Sequence, residues 1–291
     1  MAEHAPFSLV RPALQTAPVV LTSPHSGRDY PQGFLAVSRL DALAIRRSED
    51  SFVEELFAAG PALGAPLLAA NFPRAWCDPN REAWELDPAM FADALPDYVN
   101  VNSPRVSAGL GTIARIVGTG EAIYAEKLSF SEAQARIASC WTPFHAALQG
   151  LIHDTRDRFG ACLAIDCHSM PSAASRSHAR PDIVLGDGHG TACAPAVTAF
   201  LHNAFTKAGL NVRRNDPYAG GYITRHYGRP REGVQVVQLE VARALYMNER
   251  SFTKTDGFAP LRQVIEAILS ALIGASAELL GGPVALPAAA E

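Results

Sequence analysis

Cysteine is scarce and unpatterned in this chain: Cys77, Cys140, Cys162, Cys167 and Cys193, with no CxxC pair among them. An odd count without metal-finger spacing argues against a disulfide framework and a zinc-finger site. Charge is also thin. Charged residues make up 19% of the 291, the net charge is −4, and Lys and Arg are scattered, so nucleic acid is not the expected partner. No apolar run approaches the ~18 residues a membrane span requires. The start, Met1-Ala-Glu-His-Ala-Pro, lacks the apolar core of a secretion signal. A reducing cytoplasm is the expected compartment, with no membrane partner. Two enzyme signatures are missing as well. Neither Ser26 nor Ser169 sits in a Gly-x-Ser-x-Gly elbow. Gly186-Asp-Gly-His-Gly190 has neither dinucleotide spacing nor a Gly-Lys-Ser/Thr ending, which leaves Asp187 and His189 as minor candidates.

What the chain does have is apolar content, 48% of its residues, enough to fill a substantial core. Strand-like and helix-like segments alternate. Strands are expected at 19–23, 66–71, 162–166, 182–185, 211–214 and 234–240, and helices at 39–59, 131–159, 194–208 and 259–280. Apolar residues recur every three or four positions in each helix, as in Leu261, Val264, Ile265, Ile268 and Leu272. That alternation predicts an α/β fold, a doubly wound, mixed but mostly parallel sheet flanked by helices. With no repeat and no linker, residues 1–291 read as one catalytic domain, and about 282–291 as a flexible tail.

Three strand-like runs end in chemistry. Val19–Ser23 runs into Pro24-His25-Ser26-Gly27, the run from Cys162 ends in Asp166-Cys-His168, and Val234–Leu239 ends in Glu240. Open α/β sheets gather ligands at the carboxyl ends of their strands. His25 and His168 are therefore candidate metal ligands together, although His25 alone reads first as a core or capping histidine and His168 alone reads equally either way. Zinc that keeps one open position needs a third protein ligand. Asp50 is the candidate because, at helical spacing, it shares a face with Val53 and Phe57. A helix cap is the competing reading, since Ser51-x-x-Glu54 matches a capping box. Glu49 is the next choice. Glu240 suits a general base that takes a proton from water and returns it to a leaving nitrogen; structurally it could merely pair with Arg243. Cys167, beside His168, points to the opposite face of its strand and is disfavoured as a nucleophile.

Asn80 and Arg81, in Asp78-Pro-Asn-Arg81, suit capture of a carboxylate. Arg115, Arg225 and His226 lie in Gly-rich stretches where secondary structure does not account for them. Singly each is a surface residue; together they point to a small anionic substrate. Oligomerisation is left open.

The ordered set Ser23-Pro-His-Ser-Gly27, Glu49-Asp50, Asp78-Pro-Asn-Arg81, Asp166-Cys-His-Ser-Met170, Asn215-Asp-Pro-Tyr-Ala-Gly-Gly-Tyr222 and Gln238-Leu-Glu240 resembles the N-formylglutamate amidohydrolases. The resemblance spans about residues 20 to 250. It implies a zinc-carboxypeptidase-like core, metal ligands His25, Asp50 and His168, Glu240 as general base, and Asn80-Arg81 as a substrate-carboxylate clamp. It also implies histidine catabolism, with formylglutamate cleaved to formate and glutamate. The chain departs from the His-x-x-Glu pair of zinc carboxypeptidases, because position 28 is Arg. The acidic ligand must then come from elsewhere. In the expected mechanism Arg115 or His226 stabilises the oxyanion, and Arg81 and Arg225 hold the substrate carboxylates. A peptidase acting on short peptides or other small acidic amides, and a binding protein without catalysis, are the competing readings.

Overall fold

Seven strands form a single twisted sheet in the computed structural model, which describes residues 5–172 and 180–281. In chain order the elements are β1 (Phe7–Val10), β2 (Val19–Ser23), α1 (Gln32–Val37), α2 (Val53–Leu56), β3 (Leu67–Ala70), α3 (Pro104–Ser107), α4 (Phe130–Arg136) and α5 (Thr142–Phe159). There follow β4 (Cys162–Met170), β5 (Ile183–Gly186), α6 (Pro195–Lys207), β6 (Val212–Arg214), α7 (Tyr222–Tyr227), β7 (Val234–Ala242), a short β8–β9 hairpin (Met247–Asn248, Thr253–Lys254) and α8 (Phe258–Leu279). The tail proposed at 282–291 lies outside the described residues.

The sheet order is β1-β3-β2-β4-β7-β5-β6. β3, β2, β4 and β7 run parallel, while β1 and β5 pair antiparallel with β3 and β7. β2, β4 and β7 are buried along their whole length. That burial on both faces explains why their sequences read as nearly unbroken apolar runs. Their alternation sorts side chains between two cores. Leu163, Ile165 and Cys167 of β4 join Val237, Leu239 and Val241 of β7 in a core that includes Phe205 of α6 and Leu261 of α8. Cys162 and Ala164 join Val234 and Val236 in a second core with Phe144 and Leu148 of α5. Asp166, His168, Gln238 and Glu240 continue that second face toward the carboxyl ends. Cys167 therefore points away from the site, and burial pushes its thiol well above the usual range.

α8 is long and apolar enough to cross a membrane by length and composition. Here its apolar stripe, Leu261, Ile265, Ile268 and Leu272, is part of the core it shares with α6 and α2.

The helix expected over 39–59 does not form as one piece. A 3₁₀ turn spans Ala44–Ser48, the chain extends at Glu49, and Phe52 takes a left-handed conformation with φ 68° before the four-residue α2. The Asp50 amide donates to the His25 carbonyl rather than to a helical partner. The proposed capping box is absent: Ser51 Oγ bonds Glu49 at 2.6 Å, and α2 has no side-chain cap. The helix expected over 131–159 does appear, but with a π-helical turn at Ile137–Trp141 joining α4 to α5. Sequence patterning also passed over β1, whose four residues are too few to carry a period.

Candidate active site

The carboxyl ends of β2 and β4 bring His25 and His168 within 4.7 Å, centroid to centroid, with the rings edge to face. Asp50 enters between them. Its Oδ2 lies 2.9 Å from His168 Nδ1 and 3.4 Å from His25 Nδ1. One ligand atom from each of the three falls within 4.8 Å of the others, and all three side chains are buried. The remaining ring nitrogens are turned outward onto other groups. His25 Nε2 donates to Asp78 Oδ1 at 2.7 Å. His168 Nε2 lies 3.0 Å from Asp166 Oδ1 and 3.2 Å from Asn80 Nδ2. This leaves both Nδ1 atoms facing Asp50, and His25 Nδ1 is buried without a hydrogen-bond partner. A buried orphan of that kind requires an explanation. A divalent cation supplies one, because imidazoles ligate through one nitrogen while a carboxylate or amide fixes the other. The donor set His-His-Asp suits zinc with one position left open.

Charge balance around the cluster is unusual. Burial opposes ionisation of Asp50, yet its bonds and attraction to His168 and His25 hold its carboxyl well below the usual range. Burial likewise opposes charge on His168, while Asp166 and Asp50 hold the imidazole well above its ordinary value. Asp78 is buried but depressed by Arg74, Arg81 and His25. Arg243 Nη2 adds an ion pair to Asp50 Oδ1 at 3.1 Å, and Ser169 Oγ donates to the same oxygen. Glu49 faces elsewhere: it pairs with Arg46 at 3.0 Å and accepts from Tyr30 and Ser51. Of the two acids considered, Asp50 is the one beside the imidazoles.

Glu240 sits directly opposite His168 in the parallel β4–β7 register, inside a strand that runs on to Ala242. Burial is the main cause that pushes its carboxyl up to about 7, with Asp50 adding to the shift and His168 and Arg74 opposing it. Its Oε1 accepts from Gln238 Nε2 at 2.7 Å, and Gln238 in turn accepts from the Gly221 amide at 2.7 Å.

The remaining expected residues have these partners. Asn80 is fully engaged: Oδ1 accepts from the Ile223 amide at 2.8 Å, and Nδ2 faces His168 and Asp166. Both ends of its amide are thus held within the site. A Cβ on Gly221 would run into the Asn80 amide, so that close approach requires glycine. Arg81 is buried, donating to the carbonyls of Leu110 and Asn80, and burial lowers it to about 10. Arg225 is exposed on α7. Arg115 pairs with Asp87 at 2.9 Å and is half-buried. His226 stacks on Tyr222 and lines a surface cavity with Ile152 and Val234. Arg115 is thus engaged with Asp87 and His226 with Tyr222, rather than with His25, Asp50 or His168. A Gly-rich context licenses unusual backbone but carries no information about direction.

Arg74 is the residue the sequence reading missed. It donates to Asp78 Oδ2 at 2.7 Å, and although burial opposes its charge, Asp78, Asp50 and Glu240 hold the guanidinium above its usual range. Its signal was an arginine four residues before Asp78, a spacing that becomes informative only once Asp78 is known to face His25.

A doubly wound α/β sheet that presents His-His-Asp and an elevated glutamate at its strand ends defines a hydrolytic enzyme. The chain belongs to the N-formylglutamate amidohydrolase family, whose model matches residues 17–247. It is 30% identical to the N-formylglutamate deformylase of Pseudomonas aeruginosa over 88% of this chain and 92% of that protein. The N-formylglutamate deformylase of Pseudomonas putida is 29% identical, over 90% and 94%. The crystal structure of N-formylglutamate amidohydrolase from Ralstonia eutropha JMP134 superposes with a TM-score of 0.88 at 35% identity, covering 93% of this chain and 98% of that one.

Proposed function

We propose that this chain hydrolyses the formyl amide of N-formyl-L-glutamate, consuming one water and releasing formate and glutamate. The buried, unpartnered Nδ1 of His25, facing Asp50 beside His168, is the observation that carries the metal-assisted form of this reading. His25, Asp50 and His168 would hold zinc or another divalent ion. Such an ion polarises the amide carbonyl and makes water acidic enough to lose a proton near neutral pH. The rest of the work falls to the chain. Asp78 and Asp166 keep both rings turned with Nδ1 inward. Glu240, whose elevated carboxyl suits proton exchange near neutrality, accepts the proton from water and delivers it to the departing nitrogen. Arg74 faces the same acids and is suited to oppose the negative charge that develops on the carbonyl oxygen, the role first expected of Arg115 or His226. Arg81 and Arg225 are the arginines offered to the two substrate carboxylates.

Formate release from N-formyl-L-glutamate by the purified chain, before and after chelation and after zinc addition, tests both parts. Turnover lost on chelation and restored by zinc supports them. Turnover indifferent to chelation removes the metal, and cleavage of dipeptides in preference to formylglutamate favours the peptidase reading. All five cysteines are free and buried, which suits work in the cytoplasm, and the products fit a step in histidine breakdown.

A further inference from the structure

The loop from Asp78 to Arg81 sets both metal-facing imidazoles, through Asp78 on His25 and Asn80 on His168. Main-chain bonds anchor part of that loop, the Asp78 amide to the Thr112 carbonyl at 2.7 Å and the Tyr222 amide to the Asn80 carbonyl at 3.3 Å. Two side chains at and just beyond the end of the π-helical turn hold its other carbonyls. Trp141 Nε1 donates to the Arg81 carbonyl at 2.9 Å, and His145 Nε2 lies 2.8 Å from the Pro79 carbonyl. Pro79 O can only accept, so His145 Nε2 carries the proton. His145 Nδ1 is 2.8 Å from Tyr227 Oη, which donates to it when the ring is neutral. Burial lowers His145 to about 4, consistent with a neutral ring at working pH. The ring is stacked on Trp141 at 3.9 Å and nearly parallel to Tyr227. Upstream of the same π-turn, Arg136 lies 3.6 Å over Trp76, two residues before Asp78. A π-turn adds one residue to the helical repeat and rotates the next turn of helix, and such turns are frequent at functional sites.

We infer that His145 is a positioning residue for the reaction: held as one tautomer by Tyr227, it clamps the Pro79 carbonyl and thereby fixes the Asp78–Asn80 turn that aims His25 and His168. The inference rests on the hydrolase reading above but is separable from it. His145→Phe keeps ring and stacking while removing the donor, and His145→Gln retains a donor in the place of Nε2. Tyr227→Phe removes the group that selects the tautomer.

The test measures kcat and KM for N-formyl-L-glutamate, the rate of zinc loss to a chelator, and the thermal midpoint for the parent and these three variants. Residues supporting metal ligands typically contribute 10–100-fold in affinity or activity. His145→Phe is expected to lower kcat about tenfold and to speed zinc loss, with a smaller change in KM. His145→Gln should recover most of both, and Tyr227→Phe should fall between. The inference is overturned if His145→Phe matches the parent in kcat and zinc loss. It is equally overturned if His145→Gln performs no better than His145→Phe at similar thermal midpoints. Should His145→Phe not fold, Tyr227→Phe against the parent decides alike. If the parent releases no formate, the hydrolase reading fails, and zinc retention across the series still decides this one.

Discussion

Asp50 answers to three neighbours at once: two imidazoles on its Oδ2 side and the Arg243 guanidinium on Oδ1. Replacing it by Asn keeps the shape and removes the charge, so Asp50→Asn should lose zinc faster than the parent during dialysis against chelator. Unchanged metal content would take Asp50 out of the ligand set. Glu240→Gln retains its neighbours but cannot shuttle a proton. Its formate release should drop by about 10²–10⁴-fold, with zinc content kept. The two histidines and Glu240 were legible in sequence because each ends an apolar run. Asp50 was legible only as a candidate, and for a reason that did not hold: it lies beside the imidazoles because the chain breaks at Phe52, not because a helix face carries it there.

Helix α7 is six residues long, yet its first turn serves two site groups, the Gly221 amide on Gln238 and the Ile223 amide on Asn80. Gly221→Ala should force these apart. We expect a loss of about 1–3 kcal/mol, as for other over-packing changes, visible as a lower thermal midpoint together with lower formate release. Gly150, inside α5 with open space around its missing Cβ, makes the contrasting case. Gly150→Ala should raise stability by up to about 1 kcal/mol through helix propensity and leave turnover unaltered. Neither short elements such as α7 nor the π-turn could be read in advance. Six residues hold fewer than two helical periods, and a π-turn differs from an α-turn by one residue that apolar spacing does not reveal.

The molecule as a whole carries a titration in its stability. His145 is depressed to about 4 from an ordinary 6.5. The unfolded chain therefore binds a proton first, and the contribution is fully present above pH 6.5 and lost as pH falls toward 4. The slope reaches about 1.4 kcal/mol per pH unit within that window. Chemical unfolding at steps between pH 7 and 4.5 should show this fall, and His145→Gln, which cannot titrate, should show a flatter curve. An equally steep curve in that variant would assign the fall to other groups. The mostly parallel core was legible from buried runs alternating with helices. The reversal of β5 was not, because a fully buried strand reads alike in either direction.

Strand β1 lies outside the segment matched by the family model, yet it occupies the outer flank of β3, register Phe7 against Ala70 through Val10 against Leu67. Remove it, and the free backbone amides and carbonyls along Leu67–Ala70 become a template onto which another molecule's strand can add. A chain trimmed to begin at residue 17 should therefore retain its chemistry but self-associate as its concentration rises, so those few amino-terminal residues act as a guard on solubility.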